Sequence, residues 1–161
     1  MELGTSIMGL FAIALFVLPV VILSKSRKNK EKELLVGLNA MASSSNNDIG
    51  IADYGMEFAI GLSKSKTHVF FYKKSKTQEI RTTILLDQVQ KCVPELTKRK
   101  IRTKNGTESV IDKIELLFFF KDKSLNVKRV ELFNSDEYSQ INGEIELIEK
   151  WTPLINGSLA A

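Results

Sequence analysis

Two residue types that often carry chemistry occur once each. His68 stands beside a lysine-rich turn and Cys92 lies in a partly apolar run, and neither has a sequence-local partner. A zinc site of the usual cysteine and histidine composition cannot be assembled within one such chain, and a nucleophilic Cys-His pair has no local signature. Carboxylates are more numerous. Asp48 and Asp53 precede the first expected strand, while Glu144, Glu146 and Glu149 recur at helical spacing, the pattern of a solvated face rather than an acid-base pair in a cleft. There is no glycine-rich phosphate loop, nucleophile elbow or dinucleotide fingerprint. The reading is a non-enzymatic protein with no cofactor and no metal, an enzyme without a recognisable motif being one alternative.

Basic residues are the next candidates, and their chemistry is binding. Lys98, Arg99, Lys100, Arg102 and Lys104 form one run, and Lys64, Lys66, Lys73, Lys74 and Lys76 lie in connections that flank a strand. The chain of 161 residues carries a net charge of +4, yet from Ser44 onward eighteen basic and sixteen acidic side chains nearly cancel. Nucleic-acid surfaces usually show a larger excess with aromatic residues interleaved, so no nucleic-acid partner is expected. Anionic lipid headgroups and acidic protein surfaces remain. Asn105-Gly106-Thr107 and Asn156-Gly157-Ser158 match the glycosylation sequon, but Asn-Gly is also a preferred turn pair, and the turn reading is the one adopted.

Charge is most informative where it is missing. Between Glu2 and Lys25 there is no ionisable side chain, and Thr5 to Leu23 contains Ile7, Leu10, Phe11, Leu15, Phe16, Val20, Val21 and Leu23. As a helix that stretch measures about 28 Å, close to the hydrocarbon thickness of a bilayer. A cleaved signal peptide would need a basic leader and small residues at a cleavage site, neither of which is present. Residues 1–24 are therefore expected to be a transmembrane anchor. Lys25, Arg27, Lys28, Lys30 and Lys32 crowd its far end, which predicts a single-pass protein of the inner (cytoplasmic) membrane, N-terminus outside and C-terminal domain in the cytoplasm.

Residues 25–48 read as a basic juxtamembrane helix followed by a Ser/Asn-rich hinge. Leu34, Leu35, Leu38 and Met41 recur at spacings of three and four, so one face could lie on a membrane or pack on a partner. From residue 49 to 161 the period becomes alternating. Met56, Phe58, Ile60 and Leu62 share a strand face, a hairpin leads into Thr67 to Lys73, and further strands are expected over Ile80 to Leu86, Val89 to Leu96 with an interruption at Pro94, Ile111 to Phe120 and Leu125 to Phe133. Ser135, Asp136 and Glu137 then have the composition of a helix start, Tyr138, Ile141, Ile145, Ile148 and Trp151 form a stripe, and Pro153 is the expected stop.

The expected fold is α+β: an N-terminal transmembrane helix, then a curved antiparallel sheet of six to seven strands capped by a C-terminal helix. This order of elements resembles the pleckstrin-homology-like superfold over roughly residues 49–155. It is also similar to small bacterial single-span membrane proteins that carry such a domain. The resemblance implies a binding surface and names no reaction. The function expected is a membrane-anchored interaction module, an accessory or scaffolding subunit of a larger membrane protein complex, with the bilayer and other membrane subunits as partners. Leu34, Leu35, Leu38, Lys98, Arg99, Lys100, Arg102 and Lys104 form the candidate partner surface; in the alternative, the basic loops sense anionic lipid.

Overall fold

The computed structural model describes residues 28–75, 77–104 and 106–159. Residues 28–44 form helix α1. Its end is set locally: Ser44 and Ser45 hydroxyls donate to the Met41 carbonyl, the Asn47 N–H returns to the Ala42 carbonyl, and Asn46 takes a φ of 53°, the left-handed conformation common after a helix. The Ser/Asn-rich stretch then ties down to the next turn, where the Lys64 N–H donates to the Asp48 carbonyl and the Ser65 hydroxyl to Asn47.

Seven strands follow. β1 (Ile49–Tyr54), β2 (Phe58–Ser63), β3 (His68–Lys74) and β4 (Glu79–Leu85) form an antiparallel sheet in sequence order. One turn of 3-10 helix, Leu86–Gln88, leads to β5 (Val89–Thr103), β6 (Gly106–Phe120) and β7 (Lys128–Asn134), a second antiparallel sheet in sequence order. Helix α2 (Glu144–Asn156) packs on β5 and β6.

The first sheet is covered on both faces. Alternation sends Phe58, Ile60, Leu62, Val69 and Phe71 to the main core, where they meet Ile114, Leu116 and Phe118 of β6 and Trp151 of α2. The opposite face presents Ala59, Phe70 and Tyr72 to Leu34, Leu38, Met41 and Ala42 of α1. Two glycines make that second contact close: a Cβ on Gly37 would lie 2.3 Å from Tyr72 Cε1, and one on Gly61 would lie 2.8 Å from Leu38 Cδ2. Both distances are shorter than carbon atoms tolerate, so the helix sits where only glycine fits.

Several expectations need correction. The single curved sheet is replaced by two sheets of four and three strands, because the chain turns at Leu86–Gln88 instead of carrying the hydrogen-bond ladder from β4 into β5. Pro94 lies where proline in a strand is expected, on an edge strand, paired with Leu116, but it does not interrupt β5, which runs on through the basic residues. The last helix begins at Glu144 instead of Ser135, after Gly143 with a φ of 98°, and continues past Pro153 to Asn156. No helix among the described residues is long and apolar enough to cross a membrane. On that finding the single-pass, inner-membrane placement is withdrawn. The anchor residues Ile7, Leu10, Phe11, Leu15, Phe16, Val20, Val21 and Leu23, with Lys25 and Arg27, lie outside the described residues.

Candidate functional site

The two single-copy residues are occupied structurally. His68 Nδ1 lies 2.8 Å from the Thr67 hydroxyl and its ring stacks on Phe70 at 5.8 Å. Cys92 is buried, and burial pushes its thiol up to about 12, so at neutral pH it is protonated and a poor nucleophile. Its backbone is clamped by Asn156, whose Nδ2 donates to the Cys92 carbonyl at 2.8 Å and whose Oδ1 accepts from the Cys92 N–H at 2.8 Å. Among the described residues no group of three His, Cys, Asp or Glu side chains could hold a metal ion.

The most heavily charged buried region is a joint. Lys73, only 2% exposed, reaches Glu137 at 2.7 Å and Glu131 at 3.2 Å, and lies 5.8 Å from the centre of the Tyr138 ring. Tyr138 donates its hydroxyl to Glu57 at 2.8 Å, and Glu57 accepts from Lys30 of α1 at 2.6 Å. The network thus fastens α1, both sheets and the segment before α2. Burial lowers the Lys73 ammonium, but the hydrogen bonds from it to Glu137 and Glu131 outweigh this and leave it raised. Burial raises Glu57, yet the bonds from Lys30 and Tyr138 hold its carboxyl below the ordinary 4.5. Every member is paired, the arrangement of a tie rather than a reactive centre.

A pH dependence follows with a definite sign. A carboxyl held below its unfolded value adds stability that is present above that value and is lost as pH falls through the lower folded one. Acidification below about pH 4.5 should therefore weaken the domain, partly through Glu57. Glu57→Gln should flatten that stretch of the stability curve; identical acid transitions in both proteins would remove Glu57 from the linkage.

The charge left over lies elsewhere. β7 pairs with β6 only from Lys113 to Phe118, whereas β5 pairs with β6 along its whole length. Beyond Thr97 the second sheet is therefore a two-stranded arm. Along it Lys98 pairs with Ile111, Lys100 with Ser109 and Arg102 with Thr107, so alternation places these three cations on one face. All three are exposed, as is Lys104, and none of the four forms an ion pair among the described residues. Arg99 falls on the other face, 3.3 Å from Asp112 and 3.7 Å from Asp136. By contrast, Lys64 is paired with Asp48, and Lys74 with Glu33.

At the arm's base, where β7 ends and residues 135–143 leave the sheet, there is an open cleft of about 520 Å³. Val110, Ile111, Phe133, Tyr138 and Ile141 line its apolar part and Arg99 lies on its wall. The Ser135 hydroxyl donates to Asp112 at 2.6 Å, which holds the departing segment against β6.

The candidate surface drawn from sequence thus divides. Lys98, Arg99, Lys100, Arg102 and Lys104 come together on the arm. Leu34 and Leu38 are buried inside the domain, Leu35 is half-buried, and the neighbouring Lys28 and Lys32 are exposed while Lys30 is tied to Glu57. The cleft had no signal in the sequence, because residues 135–141 read as helix. No protein-family model, curated protein or solved structure matches this chain.

Proposed function

We propose that the chain is a non-enzymatic interaction module, an accessory or scaffolding subunit whose β5–β6 arm docks an acidic protein partner. The observation that carries this reading is the row Lys98, Lys100 and Arg102, exposed along one face of a two-stranded arm and forming no ion pair among the described residues. Some cations elsewhere on the surface, such as Lys64, Arg81 and Arg129, have carboxylate partners within 3.5 Å, while others, such as Lys66, Lys91 and Lys128, form no ion pair among the described residues. What sets Lys98, Lys100 and Arg102 apart is their succession along one face of one strand. No aromatic side chain occurs between Thr97 and Lys113, so the arm lacks the stacking platforms that single-stranded nucleic acids use. Exposed charges of this kind contribute about 0.2 to 1 kcal/mol apiece, enough to steer and orient a partner.

The test is charge reversal at Lys98, Lys100 and Arg102, each to glutamate, in the full chain. The variant is expected to melt as the unaltered protein does, since these residues touch no core. It should lose its stoichiometric partner on gentle isolation, and the unaltered complex should dissociate as salt is raised. A complex that survives the reversal unchanged would move the docking surface off the arm. Tighter association with phosphatidylserine vesicles than with any acidic protein would assign the arm to a lipid surface instead.

A further inference from the structure

The arm and the cleft at its base are continuous. Ile111, which lines the cleft, is the cross-strand partner of Lys98, the first cation of the basic row. From there Lys100 and Arg102 follow at alternate positions on the same face. Alternate residues of an extended chain lie about 6.8 Å apart, so the row has the repeat of an extended peptide with a carboxylate at every second residue. The cleft offers that peptide something the cations cannot. Its walls carry Val110, Ile111, Phe133 and Ile141, and its volume of about 520 Å³ accommodates an aromatic or large aliphatic side chain.

Arg99, on the opposite face of the arm from the row, lies on the cleft wall. Its guanidinium is about half exposed, and its contact with Asp136 is long, 3.7 Å, to a carboxylate whose side chain is 78% exposed. Asp112, the nearer partner at 3.3 Å, already accepts the Ser135 hydroxyl. An incoming carboxylate could take the place of Asp136 at little cost, because that exposed pair contributes little. A cation beside a cleft of mixed lining, with Ser135, Ser139 and Gln140 next to the apolar side chains, suits an apolar side chain flanked by acidic residues.

We infer that the partner presents an extended acidic peptide, with one bulky apolar side chain in the cleft and alternate carboxylates along Lys98, Lys100 and Arg102. This rests on the reading of the arm as a docking surface and adds the form of the partner. Charge complementarity along the row selects the peptide, and the apolar side chain supplies the anchor that exposed charges lack. Free acidic amino acids or inorganic anions would gain the charge but not the anchor, and should bind weakly.

The probe is a short fluorescein-labelled peptide of alternating aspartate and serine with a single phenylalanine at one end, compared with the same peptide carrying alanine there. With the full chain, the phenylalanine peptide is expected to bind at least about tenfold more tightly in fluorescence anisotropy. Ser139→Trp, at an exposed position on the cleft wall, should fill the cleft and abolish that preference without changing the melting temperature or the affinity for the alanine peptide. Reversal of Lys98, Lys100 and Arg102 should abolish binding of both peptides. Equal affinity for the two peptides, with binding still lost on charge reversal, would overturn the role of the cleft and leave the arm as the docking surface. Failure of both peptides to bind, with or without binding to phosphatidylserine vesicles, would overturn the peptide inference and the protein-docking reading together.

Discussion

Trp151→Ala is expected to lower the free energy of unfolding by about 4 kcal/mol, the scale for removing a large aromatic side chain from a packed core. Trp151 is 0% exposed and sits in α2 where the two sheets meet. Its indole N–H also donates to Asp53 of β1 at 2.9 Å, and Lys150 reaches the same carboxylate oxygen at 2.6 Å. One turn of α2 thus grips the first strand of the other sheet. Trp151→Phe keeps most of the apolar contact, loses the hydrogen bond and leaves Asp53 paired with Lys150, so it should cost about 1 to 2 kcal/mol. Urea denaturation of the three proteins measures both steps. A midpoint unmoved by the alanine change would mean that α2 is not part of the cooperative core.

Leu38→Glu should detach α1. Leu38 is 0% exposed, and a carboxylate there would have to be buried against Ala59, Phe70 and Tyr72. The lost burial alone amounts to about 1.5 to 3 kcal/mol, and the charge adds to it. The helix is expected to release, with rapid proteolysis between residues 28 and 48, while the main core persists because its apolar side chains are separate from those under α1. Val36→Glu is the matching control: Val36 is 69% exposed on the outer side of the same helix and its change should stay within about 0.5 kcal/mol. Equal protease sensitivity of the two variants would show that Leu38 faces a partner instead of the sheet.

The contrast between Leu38 and Val36 also shows what the sequence could reveal. The stripe Leu34, Leu38 and Met41 is legible as an amphipathic face, but amphipathicity names no partner. What decides it is the outer face of β2 and β3, where Ala59, Gly61, Phe70 and Tyr72 make the sheet's second side apolar and closely approachable. In β6 the alternation of Ile114, Leu116 and Phe118 marks the buried side directly, and all three are 0% exposed.

Residues 134–138 illustrate the opposite case. Ser135, Asp136 and Glu137 have the composition of a helix start, yet each is engaged elsewhere: Ser135 with Asp112, Asp136 with Arg99, Glu137 with Lys73. Asn134 caps a single turn here, its Oδ1 accepting the Asp136 N–H and its carbonyl the Tyr138 N–H. With the side chains held by their tertiary partners the turn does not propagate, and the helix is deferred to Glu144. The same deferral opens the cleft. Pro153 reads as a stop, but the turn containing it is held by the Thr152 hydroxyl, which donates to the Ile148 carbonyl at 2.7 Å, and by the Gly157 N–H, which donates to the Pro153 carbonyl. The division into two sheets depends on a single turn after β4, and strand periodicity carries no information about such a turn.

The clamp of Asn156 on Cys92 bears on how this protein behaves at high concentration. β5 is an edge strand of fifteen residues, a length that in many proteins would template pairing with further copies and growth into aggregates. At Cys92 the side-chain amide already occupies both backbone groups that an incoming strand would use. Two residues on, Pro94 has no N–H to offer. Farther along, the guard changes from hydrogen bonding to like-charge repulsion between the lysines and arginines of neighbouring molecules. The near half of the strand is protected under all conditions that leave α2 in place, whereas the far half relies on electrostatics, and its protection weakens as salt screens those charges.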